Sequence, residues 1–260
     1  MEIAKALNKA GTIHDNKTDA IPQDAQSTGA LDDHLYMYHM PYSYTAEQIR
    51  KIRTHIFHLK DRPVPRLIMV TSALPAEGKT VIASNLAISI AKGEDQHVLL
   101  VECDLRKPNL YTLFKYPPRP GISEIIQGNA RIEDCLVKTP IDRLTILPAA
   151  RQAPANPSEI LETKKMGSII QEISSRYADR FVIIDTPPIQ ATVDPRIIAS
   201  QVDGIILVAR QRYTNEADFK ASLGLLPREK IIGTVLNAVE ELPSKRYRYK
   251  KYGYHRYTSA

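Results

Sequence analysis

The sequence predicts an α/β fold, a mostly parallel, doubly wound sheet with flanking helices, and three observations lead there. Short apolar runs at Leu67–Val70, His97–Val101, Phe181–Ile184, Asp203–Ala209 and Ile231–Asn237 read as strands buried on both faces. Between several of them lie stretches with apolar residues at three- and four-residue spacing, the mark of helices packed on one side. Strands that alternate with helices pair in parallel through right-handed crossovers. The length of 260 residues, with 43% hydrophobic and 25% charged residues, is ordinary for one such domain with flanking segments.

Taken in order, residues 1–43 are polar and irregular, and 15–33 has little periodicity, so this stretch is expected to be a mobile arm. Tyr36, Tyr38, Tyr42 and Tyr44 crowd its end, either packing on the domain surface or offering hydroxyls for phosphorylation. From Ala46 to Leu59 the spacing of Ile49, Ile52, Ile56 and Leu59 predicts a helix. Its polar side carries Glu47, Arg50 and Arg53 on one face, fit for a local ion pair or for a contact between subunits.

The first strand runs into small and turn-forming residues, then Gly78-Lys79-Thr80, then a helix from Val81 to Lys92 with Gly93 as its stop. Strand, loop, Gly-Lys-Thr and helix is the layout of a phosphate-binding P-loop. A tight loop feeding a helix N-terminus aims several backbone N–H groups at one point, where the helix dipole also favours an anion. Ala76, Glu77, Gly78, Lys79, Thr80 and Val81 are the candidate nucleotide contacts, with Lys79 on the terminal phosphates of ATP and the Thr80 hydroxyl on Mg²⁺. Ala73 stands where the first glycine of the common pattern falls.

The second strand ends in Glu102-Cys103-Asp104, two carboxylates beyond a carboxyl end, where open α/β sheets bind ligands. An irregular connector at 116–120, helical segments within Gly121–Leu136 and a strand at Leu144–Leu147 follow. Asn156 suits an N-cap and Pro157 the first position of a helix expected to reach Tyr177. Four apolar residues ending in Asp185 resemble a Walker B strand, whose carboxylate binds Mg²⁺ directly or through water. A helix over Asn215–Leu226 precedes the last strand, at whose end Asn237 is either a contact to a nucleotide base or a turn residue.

There is no apolar run of 18 residues, hence no transmembrane span is expected, and the acidic and polar N-terminus does not read as a signal peptide. Cys103 and Cys135 form no disulfide framework, which fits a reducing cytoplasm. The net charge of +6 is confined to the tail: Lys245, Arg246, Arg248, Lys250, Lys251 and Arg256 account for it, and no acid follows Glu241. Tyr247, Tyr249, Tyr252, Tyr254 and Tyr257 interleave with these charges. Residues 243–260 thus read as a flexible basic tail, either stacking on nucleic acid or presenting a string of hydroxyl acceptors.

P-loop, paired carboxylates, Walker B strand and tail together resemble the bacterial tyrosine kinases, cytoplasmic P-loop autokinases of capsular and extracellular polysaccharide production. The resemblance covers roughly residues 44–260 and implies a P-loop kinase domain at 44–242. Val98–Arg106 is similar to the family's second Walker motif, with Glu102 in place of its first Asp. In that pattern Glu102 stands near the tyrosine hydroxyl, Asp104 joins Thr80 and Asp185 at Mg²⁺, and Glu102 or Asp104 accepts the hydroxyl's proton. Lys79, Glu102, Asp104 and Asp185 are then the catalytic set, and the five tail tyrosines the acceptors. Glu47, Arg50 and Arg53 match the helix through which such kinases form rings that present each tail to a neighbour. The resemblance further implies a separate transmembrane activator, a polysaccharide co-polymerase, holding the chain at the inner face of the membrane, with no nucleic acid as partner. Partitioning ATPases of the ParA and MinD type are the alternative, but they carry a second loop lysine where this chain has Leu74. A non-catalytic nucleotide-binding scaffold is the other.

Overall fold

The computed structural model describes residues 29–60, 62–93, 96–161, 164–175 and 180–240. Its frame is a seven-stranded sheet in the order β3-β4-β2-β5-β1-β6-β7. The strands are β1 (Leu67–Ser72), β2 (His97–Glu102), β3 (Val137–Lys138), β4 (Leu144–Leu147), β5 (Arg180–Asp185), β6 (Gly204–Arg210) and β7 (Ile231–Asn237). All neighbours pair in parallel except β3, a two-residue antiparallel edge on β4 that the sequence does not announce. In β1 and β5 every residue is buried, because helices cover both faces.

Successive strand residues point to opposite faces, so the sheet divides its apolar side chains between two cores. One takes Leu67, Met69, Leu99, Val101, Val182 and Ile184 and packs them on α5 (Ile122–Gln127), α7 (Pro157–Leu161), α8 (Lys164–Ser175) and α9 (Asp194–Ala199). The other takes Ile68, Val70, Val98, Leu100, Phe181 and Ile183 and packs them under α2 (Tyr44–Phe57), α3 (Lys79–Ala91) and α4 (Leu110–Phe114). The α3 helix is buried on nearly every side. It lies between the sheet and α2, which leaves it no wet face. The remaining helices are α1 (Tyr36–His39), α6 (Ile132–Cys135) and α10 (Glu216–Gly224). The stretch expected as one helix from Pro157 to Tyr177 is described in two pieces, α7 and α8, with 162–163 and 176–179 outside the described residues.

Residues 29–43 correct the expectation of a mobile arm. Leu31, Leu35 and Met37 are buried, and Asn85 of α3 holds the segment at two points. The Asn85 carboxamide oxygen accepts from Met37 N at 2.9 Å, and its amide nitrogen donates to His34 O at 2.8 Å. Lys92 Nζ caps the segment by donating to Met37 O at 2.6 Å. Three apolar residues spread through a tyrosine-rich stretch gave no period to read, yet they join the core that α3 helps to form. Of the tyrosines here, Tyr42 is 91% exposed.

The polar face of α2 is also engaged within the chain. Arg50 pairs with Glu47 at 2.8 Å and donates to Pro41 O, while Arg53 donates to Ser89 O at 2.6 Å, near the end of α3. Among the described residues no helix is long and apolar enough to cross a membrane. The five tail tyrosines lie outside the described residues. Leu35 is fully buried, so Leu35→Ala is expected to cost about 2–5 kcal/mol in urea unfolding, as deletion of core methyls does. A loose arm would leave the midpoint unchanged.

Candidate active site

The carboxyl ends of β1, β2 and β5, neighbours in the middle of the sheet, bring the expected residues together. The loop after β1 turns into α3 at Gly78, whose φ of +88° is left-handed. That conformation favours glycine, and a Cβ at Gly78 would also push on the tip of the Asn237 side chain. Ala76 also takes a positive φ, 60°. Ala73 does not, so its side chain is accommodated without strain where the common pattern has glycine. The helix begins at Lys79, two residues before the expected start.

Lys79 Nζ stands 3.0 Å from Asp104 Oδ2 and 3.3 Å from Thr80 Oγ1. The Thr80 hydroxyl donates to Asp185 Oδ2 at 2.7 Å. Asp104 and Asp185 are almost wholly buried, and Asp185 Oδ1 has no hydrogen-bond partner. A buried carboxylate oxygen left bare beside a hydroxyl and a second carboxylate is the oxygen donor set of a hard cation. Among the described residues no three His, Cys, Asp or Glu side chains converge to hold a metal unaided. Mg²⁺ does not need them, since it binds through one or two carboxylates together with phosphates and water. Thr80, Asp104 and Asp185 therefore fit Mg²⁺.

Burial works against the Lys79 charge, but Asp185 and Asp104 outweigh it and hold its pKa above the ordinary value. Burial pushes the Asp185 carboxyl up to about 6, opposed by Lys79 and the Thr80 hydroxyl. The Cys103 thiol is driven far up by burial and is chemically idle.

Glu102 ends β2 with its carboxylate turned toward backbone amides. Its carboxylate is 1% exposed and accepts from Asn109 N at 2.5 Å, Leu110 N at 2.7 Å and Ala149 N at 3.4 Å. Burial raises it to about 7, against the pull of those donors. Asn237 is likewise occupied, donating to Glu77 O at 2.8 Å and so bracing the loop rather than reaching outward.

Other braces escape a reading of the sequence. Glu77 accepts from Leu74 N at 2.8 Å across its own loop and from the Thr214 hydroxyl beyond β6. Arg210, the last residue of β6, donates to Ala76 O at 3.1 Å. Arg106 reaches the buried Asp194 at 3.1 Å and Ser158 at 3.0 Å, tying the Asp104 loop to α9 and α7. The only hint in the sequence was the Asp194-Pro195 pair, a helix start.

A family model described as an AAA domain matches residues 66–220. The tyrosine-protein kinase YwqD of Bacillus subtilis is 34% identical over 218 residues, 83% of this chain and 88% of that protein. The crystal structure of the chimerical protein CapA2B2 superposes with a TM-score of 0.74 at 29% identity, covering 81% of this chain and 92% of the other. MinD of Pyrococcus horikoshii, solved with Mg-ADP, shares the fold alone, with a TM-score of 0.54 at 21% identity over 70% of this chain and 76% of that one.

Since the folded-state pKa of Asp185 lies above the ordinary value of about 4, the folded chain keeps a proton there that the unfolded chain has lost. Stability from this group therefore falls as pH rises from about 4 to about 6 and stays low above. Asp185→Asn keeps an acceptor for Thr80 and is expected to flatten that fall, read as urea midpoints at pH 5 and pH 8.

Proposed function

This chain belongs to the bacterial tyrosine-protein kinases, a family with an AAA-type P-loop domain, and we propose that it transfers the γ-phosphoryl group of ATP to tyrosines of its own C-terminal cluster. The observation that carries the reading is the convergence of Lys79, Thr80, Asp104 and Asp185 on one point beyond the strands. In the transfer, the phenol oxygen forms a bond to phosphorus as the bond to ADP breaks, and a nearby carboxylate takes the phenol's proton.

The protein contributes position and charge more than covalent chemistry. Backbone amides from Ala76 to Thr80 and the Lys79 ammonium hold the phosphates, with the loop kept in shape by Glu77, Arg210 and Asn237. Mg²⁺ at Thr80, Asp104 and Asp185 would supply neutralisation of the phosphate charge. A free phenol has a pKa of about 10, so a carboxylate serves it late, as negative charge develops.

Tyr247, Tyr249, Tyr252, Tyr254 and Tyr257 are the acceptors, offered in trans to a neighbouring copy. The α2 helix is the contact for a ring-like assembly, since Glu47 and Arg50 keep side chains 38% and 29% exposed. Each phosphate adds about −1.5 to −2 charges, so several would reverse the tail's six positive charges and loosen that assembly. A transmembrane partner of the polysaccharide machinery activates the chain and keeps it at the inner face of the membrane, where phosphorylation regulates capsule or exopolysaccharide synthesis and export. Leu74, in place of a second loop lysine, weighs against a partitioning ATPase.

Purified full-length chain incubated with Mg²⁺, labelled ATP and the cytoplasmic part of its membrane partner is expected to label tail tyrosines, mapped by mass spectrometry. Lys79→Met is expected to abolish the label. Hydrolysis of ATP with every tail tyrosine unmodified would overturn the reading.

A further inference from the structure

We infer that Glu102 is a positioning residue, which holds the Asp104-bearing loop in place through backbone amides and does not accept the proton of the incoming hydroxyl. The inference rests on the kinase reading for the identity of that hydroxyl, while its structural half stands alone.

Both carboxylate oxygens face backbone amides. Oε1 accepts from Asn109 and Leu110, at 2.5 and 2.7 Å, where the chain leaves the loop and enters α4. Oε2 faces Ala149 N at 3.4 Å, just past β4. The side chain thus closes the loop 103–108 into a staple, joining its far end to the strand that begins it and to the neighbouring strand's exit. At 1% exposure, no face of the carboxyl is open to a substrate. Among the described residues Glu102 makes no hydrogen bond to Lys79, Thr80 or Asp185, the groups that mark where phosphate would lie. Asp104 does: its Oδ2 is the one against Lys79, and its Oδ1 accepts from Lys107 N at 3.1 Å. The same loop is pinned a second time, by Arg106 on Asp194 and Ser158, so Asp104 sits between two anchors.

The residue type fits the task. An Asp at 102 would carry its carboxylate one carbon–carbon bond closer to the backbone, about 1.5 Å short, beyond hydrogen-bond reach of Asn109 and Leu110. A Gln keeps the length and an oxygen that accepts from both. Positioning and base catalysis therefore predict opposite rank orders for two variants. A positioning role predicts that Glu102→Gln keeps tail phosphorylation within about threefold of the parent while Glu102→Asp loses about tenfold or more, the worth of a charge-assisted hydrogen bond. A base predicts a loss of about a hundredfold or more for Glu102→Gln with recovery in Glu102→Asp.

The activity test compares both variants with the parent chain under identical Mg²⁺ and ATP, resolving kcat from KM. A second measurement needs no nucleotide: amide hydrogen exchange at Asn109 and Leu110, the two amides on Oε1, followed by NMR. Slow exchange in the parent and in Glu102→Gln, with faster exchange in Glu102→Asp, is the expected result. Fast exchange of these amides in the parent, or the reversed rank order in activity, would overturn the inference. A parent chain that labels no tyrosine would instead count against the kinase reading, and the exchange data would still decide the structural half.

Discussion

Three carboxylates and one ammonium group share a patch of almost no solvent, and this imbalance of charge governs the centre of the molecule. Glu102, Asp104 and Asp185 are each at most 4% exposed, and Lys79 is the cation among them. Burying an ion without a partner is among the costliest things a fold can do. The chain meets that cost with three different arrangements. Asp104 takes the ammonium group, Glu102 takes backbone amides, and Asp185 is left with one hydroxyl and one bare oxygen. The last is the least satisfied, and it is the place where a cation would be most welcome.

The scaffold makes this concentration possible. Parallel strands deliver their carboxyl ends to one edge of the sheet, so residues far apart in the chain arrive side by side: Glu102 is register partner to Asp185. The covering helices keep water from the strands beneath, which is why the local charges matter so much. Around the rim, short-range polar contacts do the shaping. Thr214, Arg210 and Asn237 hold the loop from outside while Glu77 braces it from within, and Arg106, Asp194 and Ser158 hold the acid-bearing loop.

Much of this was legible in the residues themselves. The apolar runs of β1, β2, β5 and β6 were clear because strands buried on both faces leave few polar residues to confuse the pattern, whereas β7, read the same way, is an edge strand with Ile232 alone buried. The meeting of Lys79, Thr80, Asp104 and Asp185 was legible because the P-loop layout and the strand-end acids leave little freedom of residue type and spacing. What escaped depends on contacts distant in sequence. Two residues of β3 are too short for any period. The burial of Leu31, Leu35 and Met37 is decided by an amide on α3, some fifty residues on. The spacing of Glu102 and Asp104 placed both at the strand end but could not say which way each carboxylate turned. Arg53 reads as a surface charge until Ser89 O is found beneath it.

Asn85 sets a limit on where this domain can be cut. By bonding both the backbone N–H of Met37 and the carbonyl of His34, it makes the segment before α2 a lining of the very helix that starts at Lys79. A shortened chain beginning at Thr45 would strip that lining, wet one flank of α3 and strand a carboxamide in an apolar wall. The smallest unit that keeps its nucleotide loop properly backed starts ahead of Leu31.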